Sequence, residues 1–187
     1  MNDLQLWQKL RSGDQAAFKI IYDTHVRGLA TYARKFTDDS DLIEDSIHDL
    51  FVSVWQKRDG LSDTDSIIRY MCVALRRDII RRISKSNQVT SFDYAENKDF
   101  DFALSVEDIM IHDEVDKDKK AKLQEAFKVL SSRQREAIFL KYYQEMSYEQ
   151  ICEVMDINYQ SVRNLISKGI IELKRIIGLI IMLLGLI

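Results

Sequence analysis

No proline occurs in this chain of 187 residues, and only six glycines do. Proline is the residue that stops a helix outright, so nothing here obliges long helices to end. Runs of alternating valine, isoleucine and threonine, which a half-buried strand would need, are also missing. The expected class is all-α, and the length suits one large domain or two small ones. The two cysteines, Cys72 and Cys152, stand far apart on apolar helical faces and read as buried free thiols in a reducing compartment. His25, His48 and His112 share no ligand spacing with them, so no metal site is expected. Paired carboxylates, a nucleophile beside a base, and a glycine-rich phosphate loop do not stand out either. The expectation is therefore a protein that is not an enzyme and needs no cofactor. Nothing in the first residues reads as a signal peptide, and the expected location is the cytoplasm.

What the chain has is charge sorted into blocks, beneath a net charge of only −3. Asp38, Asp39, Asp41, Glu44, Asp45 and Asp49 follow one another with no base among them. From Asp65 to Lys85 the sign reverses: Arg69, Arg76, Arg77, Arg81, Arg82 and Lys85 face only Asp65 and Asp78. The segment 86–118 is acidic again, and from Lys119 onward bases dominate. Such segregation points to one basic and at least one polyanionic partner.

Helical periodicity runs through most of the chain. Leu4, Leu6, Trp7 and Leu10 form a short amphipathic opening that ends at Gly13, and Asp14 can cap the next helix. That helix carries Phe18, Ile21, Tyr22, His25, Leu29, Tyr32, Ala33 and Phe36; His25 on this face reads as a core histidine. The next, about 41–57, buries Ile43, Ile47, Leu50, Phe51 and Val54 and is expected to close at Gly60. Its other side stacks Asp41, Asp45 and Asp49 four residues apart, like charges that each cost an isolated helix about 0.2–0.5 kcal/mol. The stripe reads either as a solvated acidic face or as a docking stripe for a basic partner, and the second would account for the unfavourable spacing. A further helix, with a cap among residues 62–65, lines its core side with Ile68, Met71, Cys72, Leu75, Ile79 and Ile83. Its arginines, with Tyr70 among them, suit phosphate tracking with base stacking on single-stranded nucleic acid.

Periodicity fails over 86–118, apart from a short helix expected at 106–111, and helices resume near Lys119 with Leu123, Ala126, Phe127 and Leu130. Ser131 and Gln134 form a capping box before Ile138, Phe139, Tyr142 and Tyr143. A second box, Ser147 with Gln150, opens a helix whose apolar face is Tyr148, Ile151, Cys152 and Met155. Only Asp156, Ile157 and Asn158 separate it from the next apolar face, Val162, Leu165 and Ile166. Asn158 is a natural N-cap, and Ile157 can staple onto Val162. Two short helices set at an angle by a three-residue turn form a helix-turn-helix. The free face of the second helix offers Tyr159, Gln160, Ser161, Arg163, Asn164, Ser167 and Lys168, residue types that read base edges and hold phosphates.

The segments IEDSIHDLFVSVW (43–55), RYMCVALRRDIIRRISK (69–85) and LSSRQREAIFLKYYQEMSYEQICEVMDINYQSVRNLISKGIIELK (130–174) together resemble the extracytoplasmic-function (ECF) group of bacterial sigma factors. The overall aspect is similar to the iron-uptake-type members from Bacteroidetes. The resemblance implies a domain 2-like unit over 1–86, an acidic linker over 87–118 threading the polymerase cleft, a domain 4-like unit over 119–175, and an apolar tail over 176–187. It implies that Glu44, Asp45 and Asp49 dock on the clamp helices of the β′ subunit of core RNA polymerase, with the β subunit as a further contact. It assigns the minus-ten promoter element to Arg69, Tyr70, Arg76, Arg77, Arg81 and Arg82. The minus-35 element falls to Tyr159, Gln160, Ser161, Arg163, Asn164 and Lys168. An anti-sigma factor is a further implied partner. The chain departs from the family pattern at Arg77 and Arg81, where Asn and Asp are common, at Leu130-Ser131 in place of Leu-Pro, and at His48 in place of Gln.

Two other readings of the residues remain: an autonomous helix-turn-helix regulator with an N-terminal sensing or dimerisation domain, and a membrane-surface adaptor. The tail IIGLIIMLLGLI, 176–187, carries no charge and is too short for the roughly 20 residues of a membrane span. Because it is apolar all round, more than one side must be covered: by the protein's own domains or self-association with a second copy, the favoured readings, or through capture by an anti-sigma or membrane-bound partner.

Overall fold

The computed structural model describes residues 2–87 and 127–183, including side chains over 2–85 and 127–176. These residues are all-helical. The N-terminal unit comprises α1 (Asp3–Arg11), α2 (Gln15–Ala33), α3 (Ser40–Gln56), a 3-10 turn (Arg58–Gly60) and α4 (Ile67–Asn87). The C-terminal unit comprises α5 (Ser132–Tyr142), α6 (Tyr148–Met155) and α7 (Tyr159–Leu183). The acidic segment, the short helix expected at 106–111 and the helix start near Lys119 lie outside the described residues, as do the side chains of the tail from 177 on.

Capping sets most of the helix starts. Asn2 and Gln5 form a reciprocal box at α1, and Asp14 accepts from the amides of Ala16 and Ala17 at α2. Asp39 accepts from Leu42 at α3, so one member of the acidic run is a cap. At α4 the side chains of Thr64 and Ser66 are joined by Asp3 of α1, whose carboxylate accepts from the Ile67 amide at 2.9 Å. The start of α4 is thus partly fixed by a residue 64 positions away.

The end of α3 differs from the expectation at Gly60. The helix stops at Gln56, where Arg58 donates to the carbonyl of Trp55 at 2.8 Å and lays its guanidinium over the Trp55 ring at 4.7 Å. A side chain taking up one of the last helical carbonyls ends the helix before any glycine is needed.

Trp7, Leu10, Ile21, Leu29, Tyr32, Ile67, Met71, Leu75 and Ile79 are fully enclosed in the N-terminal unit, and its core continues without a break into Leu140, Met146, Ile151 and Val162. In α5 six consecutive residues, Arg135 to Leu140, are buried, which no one-sided amphipathic helix could achieve. One side of α5 faces α6 and α7, while Glu136 and Phe139 meet α2 and α4. A smaller cluster of Phe127, Leu130, Ile138 and Leu173 closes the far side, with Ile176, the first tail residue, packed on it. Tyr142, expected on the apolar side, is 62% exposed. Cys72 is buried as expected, but Cys152 is only half-buried.

His25 is half-buried on α2, and burial lowers its pKa from the usual 6.5, with the charge of Asp3 acting in opposition. Below 6.5 the unfolded chain takes up the proton more readily than the folded one. This histidine therefore costs stability as pH falls from 6.5 through its lowered folded value. Between about pH 7.5 and 5.5 the melting temperature of His25→Gln should fall less than that of the parent chain. Equal slopes would show that the histidine titrates alike in both states.

Candidate nucleic-acid and polymerase interface

The helix-turn-helix forms as its sequence implies. Ser147 and Gln150 make the reciprocal box at α6, which ends at Asp156 in the left-handed region (φ 54°, ψ 51°). Asn158 then accepts from the Ser161 amide at 2.8 Å and starts α7. Val162 and Ile166 are buried, with Ile157 and Leu165 partly buried beside them, and this anchors α7 by one face. The opposite face presents Tyr159, Gln160, Arg163, Asn164 and Lys168 to solvent, with Ser161 half-buried at its edge. Gln160 donates to Asn164 at 3.0 Å, so two candidate base readers hold each other in place. Arg163 and Lys168 enter no ion pair among the described residues.

The acidic stripe is split in the structure. Asp41, Glu44 and Asp45 are exposed on α3, opposite Ile43, Ile47 and Phe51. Asp49 is also exposed but accepts from Arg82 of α4 at 2.5 Å, and Arg82 in turn reaches Asp78 at 2.5 Å. The hydrogen bond to Asp49 leads the causes that raise the Arg82 pKa.

On α4 the candidate residues have separate surroundings. Arg77 and Arg81 are exposed, and Arg81 pairs with Asp78. Tyr70 leans on Trp7, ring centroids 4.9 Å apart, and burial raises its pKa. Arg69 meets Asp65 at 2.8 Å and Glu153 of α6 at 3.0 Å. Arg76 is buried: its Nε donates to Oε1 of Glu136 at 2.8 Å and its Nη2 to Oε2 at 3.3 Å. The Tyr32 hydroxyl donates to the same Oε1 at 2.7 Å. Burial alone would lower the Arg76 pKa, but the Glu136 carboxylate, with Tyr32 and Asp156 adding to it, more than reverses that, and the guanidinium stays charged. The sequence reading missed Glu136 altogether. A glutamate inside a helix normally marks the solvent side, and its only local signal was its place among residues that proved buried all round.

Comparison with known proteins agrees with this geometry. Residues 21–89 match the family model described as Sigma-70 region 2, and residues 120–173 match Sigma-70, region 4. The RNA polymerase sigma factor NccH of Alcaligenes xylosoxydans xylosoxydans is 23% identical over 175 residues, covering 89% of this chain and 90% of that protein. Among solved structures, CnrH in complex with the cytosolic domain of CnrY matches with a TM-score of 0.62 at 19% identity, over 94% of this chain and 97% of the other. The sigma factor RpoE, in complex with the anti-sigma factor NepR from Bartonella quintana, matches with a TM-score of 0.59 at 20% identity, over 86% and 96%. With region 2 ending on the cationic helix α4 and region 4 holding the helix-turn-helix, the chain belongs to the Sigma-70 family of sigma factors, which direct the initiation of transcription.

Proposed function

We propose that this sigma factor works in the cytoplasm as an ECF-type initiation factor without enzymatic activity of its own. Core RNA polymerase is its protein partner, and promoter DNA is recognised at two elements. The 1–86 unit acts as domain 2, with the acidic face of α3, Glu44 and Asp45 foremost and Asp49 beside them, as the polymerase contact. The cationic face of α4 serves the minus-ten element through Arg69, Tyr70, Arg76, Arg77, Arg81 and Arg82. The 119–175 unit acts as domain 4, and 87–118 connects the two. An anti-sigma factor is a fitting regulator, since RpoE was solved with the anti-sigma factor NepR. The tail from 176 on is assigned to self-association or to the protein's own surface.

The observation that carries this reading is the free polar face of α7, which offers Arg163, Asn164 and Lys168 while Val162 and Ile166 hold the helix from behind. Purified protein with core polymerase should initiate at specific promoters, whereas the protein alone should bind the same duplex weakly, because a net-acidic chain has little sequence-independent attraction to phosphate. Arg163→Ala should cost about 1–3 kcal/mol and relax preference at one position of the minus-35 element. Loss spread evenly over all sequences would make Arg163 a phosphate contact. Tight duplex binding by the free protein would favour an autonomous regulator.

A further inference from the structure

The first helix, α1, lies ahead of the 21–89 match to region 2, and its side chains converge on the segment that leads into α4. Leu6, Trp7 and Leu10 form its buried face, and an enclosed indole N–H needs an acceptor. Trp7 finds it in the Ser62 carbonyl at 2.9 Å. One turn on, Arg11 pairs with Asp63, and at the other end of α1 the Asp3 carboxylate accepts from the Ile67 amide at 2.9 Å. From the α4 side Arg69 donates to the Thr64 hydroxyl at 3.0 Å. The approach to α4 is thus fastened from both sides. The Trp7 ring also meets Tyr70, centroids 4.9 Å apart and planes tilted by 57°, and Tyr70 is half-buried. Part of the tyrosine ring rests on α1 while the remainder stays in solvent.

We propose that α1 is a positioning element of the minus-ten reader: Trp7, with Asp3 and Arg11 fixing the chain around it, presents the open part of the Tyr70 ring for stacking against an unpaired base. This rests on the assignment of Tyr70 to the minus-ten element. A tyrosine free to turn on a helix surface spends part of its time in rotamers that miss the base, and the competent fraction sets the apparent affinity. Trp7 removes that freedom before the base arrives, so less order has to be imposed on binding. Stacking involves no counterion release, whereas the exposed Arg77 and Arg81 further along α4 meet phosphates through their charge. The support from α1 therefore sets the strength of binding at a given salt concentration, and the cations of α4 set how steeply salt weakens it.

The test titrates holoenzyme, assembled from the full chain and core polymerase, with a fluorescent single-stranded oligothymidylate at several salt concentrations, core polymerase alone giving the background. Tyr70→Ala should weaken binding by about ten-fold. Trp7→Leu, which removes the supporting ring, should weaken it by about three- to five-fold with the salt slope unchanged. Trp7→Phe keeps a ring against Tyr70 and should stay within about two-fold of the parent. Trp7→Leu combined with Tyr70→Ala should bind no more weakly than Tyr70→Ala alone, a non-additivity that a general loss of stability would not produce. Should Trp7→Leu fail to fold, the pair Asp3→Ala and Arg11→Ala, which frees the approach to α4 without opening the core, carries the same comparison. Additive losses in the combined variant overturn the proposal, and so does parent-like affinity in a folded variant of α1 while Tyr70→Ala is impaired. Parent-like binding by Tyr70→Ala would instead strike the assignment of Tyr70 to the minus-ten element, and the proposal with it.

Discussion

Replacement of both Glu44 and Asp45 by lysine is expected to weaken association with core polymerase by at least about a hundred-fold, while the melting temperature moves by no more than about 2 °C. Both side chains are exposed on α3, and the residues that anchor the helix, Ile43, Ile47, Leu50 and Phe51, lie on its other face. Asp45 sits between Asp41 and Asp49 at four-residue spacing, so a lysine there relieves two like-charge contacts, and the isolated helix should gain a few tenths of a kcal/mol. Any loss of association would then be a matter of recognition and not of folding. Asp49 is the poorer target, because its carboxylate holds Arg82, and reversing it would also release a cation on α4. Circular dichroism with a competition assay against the parent protein provides the check. A folded double variant that competes normally would reduce the stripe to a solvated face.

The second large effect concerns α1, which precedes the region 2 match at residues 21–89. Trp7→Ala should destabilise the protein by about 3–5 kcal/mol and lower its melting temperature by roughly 6–20 °C. Trp7 is fully enclosed, its indole Nε1 donates to the Ser62 carbonyl at 2.9 Å, and its ring supports Tyr70. Removing it opens a cavity between α1 and α4 and orphans the Ser62 carbonyl at the approach to α4. A melting temperature within about 2 °C of the parent would mean that the surrounding helices close the gap at little cost.

Most of the helical architecture was legible along the chain because its signals are local. Apolar residues at three- and four-residue spacing gave α2, α3 and α4, and side chains three residues apart gave the boxes at Ser131 and Ser147. The helix-turn-helix was readable to the residue, since Asn158 and the three-residue turn act within their own neighbourhood. The acidic stripe and the polar face of α7 were equally plain, because exposed groups keep the pattern that the helix gives them. Less legible was α5, whose burial on all sides erases the one-sided periodicity on which such a reading depends. Arg76 and Arg82 were read as one cationic run with Arg77 and Arg81, yet one is buried and another is shared between Asp49 and Asp78.

The amino-acid sequence by itself determined most of the described helices and their local caps, the order of an acidic, a cationic and a reading surface, and through these the resemblance to a sigma factor. Tertiary structure alone decided which charges face one another. Asp3 caps α4 from α1, and Glu136 finds Arg76 and Tyr32 across 60 and 104 positions of chain. The physical reason is that periodicity records which face of a helix avoids water but carries nothing about which other helix covers it. A glutamate enclosed by its partner and an arginine enclosed by the same partner look, in sequence, like two solvated charges.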